Sequence, residues 1–130
     1  MVFMEKLAVQ VLPTWLTDLR VALEPNSVIE DATELRFFAQ DVFGQGQPLT
    51  AVVVPNSVAQ LQVAVKHLVQ AGVAVVPRGG GLSYTGGFLA THQNSAVIDT
   101  AKLDKLVSLN IEDRCVTVEV GMCWGALNDI

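Results

Sequence analysis

Apolar residues return along this chain in several rhythms, and each rhythm predicts a different element. Thr50-Ala51-Val52-Val53-Val54 is a short apolar run that stops at Pro55, the pattern of a strand buried on both faces. Val58, Leu61, Val65 and Leu68 then recur at helical spacing. Ser57, with Gln60 three residues on, supplies a capping-box signal for that helix. Gly72 stands where a helix C-terminal glycine belongs. Val73-Ala74-Val75-Val76 is the next apolar run. The spacing predicts a β-α-β unit: a parallel pair of strands joined and covered by a helix from about Ser57 to Ala71. The fold class is therefore α/β (α+β), with a small sheet.

The flanks are less regular. Residues 4–23 predict a helix broken or kinked near Pro13, with Leu16, Leu19, Arg20 and Leu23 on one face. Glu24-Pro25-Asn26-Ser27 reads as a turn. Residues 28–40 are ambiguous, a short helix through Glu34 and Phe37 being one reading, and residues 41–48 form a loop. Further on, Ala96-Val97-Ile98-Asp99 is another buried-type strand, and Thr100 can cap a short turn through Leu103 and Leu106. Leu106–Asn110 and Cys115–Val120 read as two strands around Ile111-Glu112-Asp113-Arg114. The second alternates, with Val116, Val118 and Val120 on one face and Cys115, Thr117 and Glu119 on the other. Gly121 ends it, and Cys123–Asn128 looks like the first turns of a helix with no stop signal before Ile130. The expected organisation is residues 1–48 as a helical and loop segment and residues 49–130 as the sheet-bearing unit.

Composition sharpens this picture. Apolar residues make up 51% of the 130 and charged residues only 16%, a large apolar share for so small a surface-rich domain. One apolar face is expected to need a cover. The net charge is −5 and the eight basic residues are scattered, which argues against a nucleic-acid partner. Cys115 and Cys123 have no histidines at ligand spacing, so no zinc site is expected. They also make no secreted disulfide framework. With no basic n-region before an apolar run at the N-terminus, the expected setting is cytoplasmic. The window from Val58 to Val76 is interrupted by Lys66, His67 and Gln70, so no membrane span is expected.

The densest chemical signal is Val76-Pro77-Arg78-Gly79-Gly80-Gly81-Leu82-Ser83-Tyr84-Thr85-Gly86-Gly87. Five of the ten glycines fall between Gly79 and Gly87. Glycine admits positive φ and close approach of a ligand to the main chain, and successive free N–H groups make a nest for an anion. A hairpin turn needs only one or two glycines. The P-loop pattern fails, since Gly86 is followed by Gly87 and Phe88 rather than Lys and Ser or Thr. The Rossmann pattern fails too, because the sixth place from Gly79 is Tyr84. The loop therefore reads as a phosphate cradle built from its own N–H groups, at the carboxyl end of a strand, where open α/β sheets place ligands.

The run from Pro77 to Gly87 resembles the pyrophosphate loop of the FAD-binding domain in the vanillyl-alcohol oxidase superfamily. It is most similar to the FAD-linked oxidase branch, that of glycolate oxidase and D-lactate dehydrogenase flavin subunits. The resemblance runs from about Glu34 to Ile130. Asp41, Pro48, Ala51–Pro55, Val97-Ile98-Asp99, Leu103, Leu106, Val116–Gly121, Trp124 and Leu127 follow in the family's order. It implies that Pro77, Arg78, Gly79, Gly80, Gly81, Leu82, Ser83, Tyr84, Gly86 and Gly87 bind FAD. The N–H groups of residues 79–83 would serve as donors, with the Ser83 hydroxyl as another. Arg78 has two readings, neutralising phosphate charge or making a structural bond to a nearby carbonyl. Some relatives hold flavin covalently through a histidine in this loop. Leu82 occupies that place, so noncovalent FAD is expected. Asp99, Asp104 and Glu119 read as surface or structural, and nothing matches a catalytic acid-base set.

Complete members of that family carry a second flavin subdomain and a cap domain, expected here as partners after Ile130. The primary expectation is the FAD-binding N-terminal part of an oxidoreductase acting on an alcohol or 2-hydroxy acid, with FAD bound weakly or not at all by these residues alone. The other is a standalone, non-catalytic α/β module that binds a nucleotide weakly or self-associates. A homodimer is expected in either case, with Val116, Val118 or the Trp124–Leu127 segment near its interface.

Overall fold

The computed structural model describes residues 13–130. Pro13 is the N-cap of α1 (Thr14–Ala22), so among the described residues the helix begins at the place where a break was expected. The predicted helical residues before Pro13 lie outside the described residues. Leu16, Leu19 and the following Leu23 are buried, while Arg20 reaches out to pair with Glu30. The ambiguous stretch resolves into a two-residue strand, β1 (Val28–Ile29), and a helix, α2 (Ala32–Phe38). Asp31 caps α2 by accepting from the N–H groups of Thr33 at 2.9 Å and Glu34 at 3.0 Å.

The apolar run that follows is β2 (Ala51–Val53), with every residue buried. Ser57 caps α3 (Val58–Gln70), its hydroxyl accepting from Gln60 N–H at 3.3 Å. Gln60 Oε1 reaches back to the N–H of Asn56 at 3.0 Å, one residue earlier than a capping box requires. The core-facing stripe of α3 is the buried Ala64 and Leu68 with the half-buried Leu61, whereas Val58 and Val65 are exposed. The predicted face is therefore rotated. Valines surround this helix, and the small Ala64 marks the side that meets the sheet. Gly72 closes α3, with the Val73 N–H donating to Leu68 O at 3.0 Å.

β3 (Ala74–Arg78) and β4 (Ser95–Asp99) complete a four-stranded sheet in the order β1-β2-β4-β3. The expected parallel strands joined by α3, β2 and β3, are present in one sheet. β4 lies between them and pairs parallel with both. The crossover through α3 skips one place, and the long-range partner supplies a strand that local spacing could not anticipate. β1 pairs antiparallel with β2 at the edge.

Both faces of the central strands are covered. Val53, Ala96 and Ile98 pack with Leu19, Leu23, Ala64, Leu68 and Val73 beneath α1 and α3. Val52 and Val97 point the other way, to Ala39, Leu49 and Ala90, with Leu35 and Phe38 of α2 over them. Burying each such side chain contributes about 1.5–3 kcal/mol.

Beyond the sheet, Thr100–Leu103 is a hydrogen-bonded turn, the Leu103 N–H donating to Thr100 O at 2.9 Å. The predicted cap is corrected, because the Thr100 hydroxyl donates to Arg78 O and it is Asp99 that caps the turn through the Ala101 N–H. β5 (Leu106–Asn110) and β6 (Cys115–Val118) form a separate antiparallel hairpin. α4 (Trp124–Asn128) follows.

Candidate functional site

The site is set by one rung of the sheet. Arg78 and Asp99 are the last register partners of the parallel pair β3 and β4, so their side chains leave the same face at the carboxyl end. Parallel neighbours need a long crossover, usually a helix. Here the crossover is residues 79–94, which hold the glycine loop and no helix. Pro77 is tolerated because β3 is an edge strand. The backbone at the loop's root is clamped, with Arg78 O accepting from the Thr100 N–H at 3.0 Å and from its hydroxyl at 3.2 Å.

The loop holds its own shape through Ser83. Its Oγ accepts from the N–H groups of Thr85 at 3.3 Å and Gly87 at 3.0 Å. Among the described residues, the N–H groups of Gly79, Gly80, Gly81, Leu82 and Ser83 donate to no protein acceptor. A Cβ placed on Gly79 or Gly80 would meet nothing within 4 Å, so open space lies against this backbone. Gly79 and Gly80 line a cavity of about 420 Å³ together with Ala101, Val120, Gly121, Met122, Cys123 and Trp124. Gly121 is held close, its N–H donating to Leu103 O at 2.7 Å, and a Cβ there would collide with backbone oxygens of Thr100 and Leu103.

Arg78 does not face that cavity as a free cation. Its Nη1 pairs with Asp99 Oδ2 at 2.9 Å, and both side chains are largely buried. The guanidinium carbon lies 4.8 Å from the Phe38 ring centre, 5.5 Å from that of Phe88 and 5.6 Å from that of Phe37, within cation–π range of all three. Gly81, at φ +72°, occupies the place where a Cβ would strike the guanidinium. Neither sequence reading of Arg78 describes this arrangement. Its partner is a carboxylate one strand away, because the sheet register brings Asp99 alongside.

Of the ten predicted site residues, two line the 420 Å³ cavity: Gly79 and Gly80. Arg78 and Gly81 border another concavity with Phe37, Gln40, Asp41 and Val42. Gly86 borders a third with Gln45, Gly46, Gln47, Leu89, Ala90 and Thr91. Leu82 and Tyr84 are exposed. Sequence reasoning missed Ala101 and residues 120–124 as lining residues, and the three phenylalanines around Arg78. The signal for Asp99 lay in the matched ends of two apolar runs, Val75–Arg78 and Ala96–Asp99.

A ligand suited to the cavity has a compact anionic group for the N–H groups of Gly79 and Gly80 and extended apolar surface for Val120, Met122 and Trp124. A dinucleotide pyrophosphate with its attached rings meets both requirements, and the residues present fit it. Among the described residues no group of three or more metal-ligating side chains occurs, and no helix is long and apolar enough to cross a membrane.

The fold is thus a small α/β unit with unpartnered backbone donors at the carboxyl end of its parallel sheet. Residues 49–130 match the family model described as FAD binding domain, and the chain belongs to that family. The D-2-hydroxyglutarate dehydrogenase of Xanthomonas citri pv. viticola is 36% identical over 79 residues, covering 61% of this chain and 16% of the relative. That of Stutzerimonas stutzeri is 26% identical over 116 residues, covering 88% and 25%. The mitochondrial D-lactate dehydrogenase [cytochrome] of Kluyveromyces lactis is 35% identical over 80 residues, covering 60% and 14%. The chain therefore spans a quarter or less of the length of these relatives. A solved alkyldihydroxyacetonephosphate synthase shares the fold at TM-score 0.79 and 17% identity, over 90% of this chain and 24% of that one. A p-cresol methylhydroxylase does so at 0.67 and 18%, over 89% and 23%.

Proposed function

We propose that residues 49–130 supply the pyrophosphate-holding part of the FAD site in a flavin-dependent oxidoreductase acting on an alcohol or 2-hydroxy acid. The observation that carries this reading is the row of unpartnered N–H groups from Gly79 to Ser83 beside the open space at Gly79 and Gly80. In it, residues 79–83 hold the pyrophosphate and Ser83 keeps the loop in shape. Pro77, Arg78, Tyr84, Gly86 and Gly87 present and frame the loop. Leu82 stands where a covalent link would need a nucleophile, so FAD is held noncovalently. Bound FAD supplies hydride acceptance, while the protein orients it. The hydroxy-acid substrate class rests on the D-2-hydroxyglutarate and D-lactate dehydrogenases among the relatives.

The β5–β6 hairpin and Trp124 are exposed, which favours a cover. In this reading the cover is a second flavin subdomain, followed by a cap domain, with residues 1–48 as a lead-in segment. Homodimerisation through Val116, Val118 or Trp124–Leu127 is the second reading, favoured by the same exposure. Free, exposed Cys115 and Cys123 suit a cytoplasmic setting.

FAD titration followed by flavin fluorescence tests the site. Residues 1–130 alone are expected to bind weakly or not at all, because half a cleft buries little ligand surface, and nanomolar binding would refute this. In the full chain, meaning the longer flavoprotein that this reading implies, Gly80→Val is expected to abolish binding by blocking the backbone approach. Undiminished affinity would move the pyrophosphate elsewhere.

A further inference from the structure

We propose that Asp99 is a positioning residue for the cofactor cleft, its two carboxylate oxygens tying the root of the glycine loop to the turn that follows β4. The proposal rests on the reading of the loop as the pyrophosphate holder. Oδ2 accepts from Arg78 Nη1 at 2.9 Å, and Oδ1 accepts from the Ala101 N–H at 2.8 Å. Arg78 immediately precedes Gly79 and Gly80, and Ala101 lines the cavity with them. The turn from Thr100 to Leu103 also carries the carbonyl on which Gly121 docks at 2.7 Å. One carboxylate thus holds the spacing between the loop, the turn and residues 120–124.

The chemistry requires a carboxylate. Both partners are donors, and an ionised Asp offers acceptors on both oxygens. An Asn keeps one oxygen but sets an NH₂ group against a donor. Asp99 is 5% exposed, so water cannot replace the lost partner cheaply. The register pair Arg78–Asp99 fixes where the carboxylate starts, and the three phenyl rings fix where the guanidinium ends. Gly81, folded against that guanidinium, transmits its position to the loop.

A phosphate-binding role for Arg78 predicts the opposite sign. Asp99 would then compete with the pyrophosphate for the guanidinium, and removing its charge would tighten FAD binding. The test is Asp99→Asn and Arg78→Lys in the full chain. FAD affinity is measured by fluorescence titration over a range of salt concentrations, beside the thermal midpoint of the FAD-free protein. Asp99→Asn is expected to weaken FAD roughly tenfold or more, with the salt dependence unchanged. Tighter binding, or a steeper salt dependence, would overturn the proposal. So would an unchanged affinity with a lowered midpoint, which would make Asp99 structural alone.

Arg78→Lys keeps the charge and loses the planar fork, and it is expected to weaken FAD to a similar degree. Full retention of affinity would overturn the proposal, and this variant decides the matter if Asp99→Asn does not fold. Gly80→Val separates the two ideas. If it abolishes binding while Asp99→Asn changes nothing, the loop reading stands and the positioning role falls. If Asp99→Asn weakens FAD and Gly80→Val does not, the loop reading falls and the positioning role falls with it.

Discussion

The four-stranded sheet and the β5–β6 hairpin draw on the same vocabulary of valine, leucine and isoleucine, yet they meet opposite environments. Val52, Val53 and Val97 are fully buried, whereas Val107 is 62% and Ile111 80% exposed. The difference lies in what surrounds each strand. β2 and β4 have helices or loops over both faces and a neighbour on each edge. β5 and β6 have only each other. A strand's apolar side chains stabilise the fold only where a second layer takes them out of water. Between the two regions lies the cavity, with Gly79 and Gly80 rooted in the sheet and residues 120–124 following the hairpin. One side of the cleft is anchored in a core, and the other hangs on a few hydrogen bonds.

Substitutions should expose that asymmetry. The largest effect is expected from Leu68→Ala in α3, which removes a fully buried side chain from the core under the sheet and should cost about 2–5 kcal/mol. Leu109→Ala in β5, 54% exposed, should cost far less in residues 1–130. Chemical denaturation of the two variants gives the comparison, and equal losses would mean that the hairpin has a core of its own.

Next comes Gly121→Ala. Its methyl would meet the backbone oxygens of Thr100 and Leu103, an overpacking expected to cost about 1–3 kcal/mol and to free residues 121–130. Hydrogen exchange should show faster exchange there, with β2 and β4 still protected. Faster exchange in the sheet and hairpin alike would contradict the asymmetry.

Ser83→Ala removes the acceptor for two loop N–H groups. It should loosen the glycine loop by about 1 kcal/mol, read as a fall in FAD affinity in the full chain with little change in the thermal midpoint. The smallest effect on stability, within about 0.5 kcal/mol, is expected for Ile111→Ser. Sedimentation of residues 1–130 should nonetheless show less self-association in this variant, because an exposed apolar patch is where a partner binds. A monodisperse monomer before and after the change would break the comparison at its weaker end.

Local pattern made much of this protein legible. The apolar runs at Ala51–Val54, Val73–Val76 and Ala96–Asp99 all form strands, buried in β2 and β4 and half-buried in the edge strand β3. Ser57, Gln60 and Gly72 bracket α3 because capping is a matter of neighbouring hydrogen bonds. The five clustered glycines marked the loop because few other sequences leave successive N–H groups free beside open space. The family resemblance carried by Pro77–Gly87 is borne out by the family match over residues 49–130.

Tertiary structure decided the rest, wherever two distant segments had to meet. Nothing within ten residues of β2 or β3 says that β4 will slot between them. Which side of α3 faces the sheet was decided by packing, since valines occur all round it and only Ala64 lets the helix approach closely. The same holds for Arg78. Its sequence neighbours are glycines and a proline, but its partners are Asp99, Phe37, Phe38 and Phe88. A charge's partner depends on sheet register and on what packs over it, and both are fixed by long-range contacts. The sequence thus determined that a backbone cradle would exist, and the fold determined that its arginine would be spent on a carboxylate.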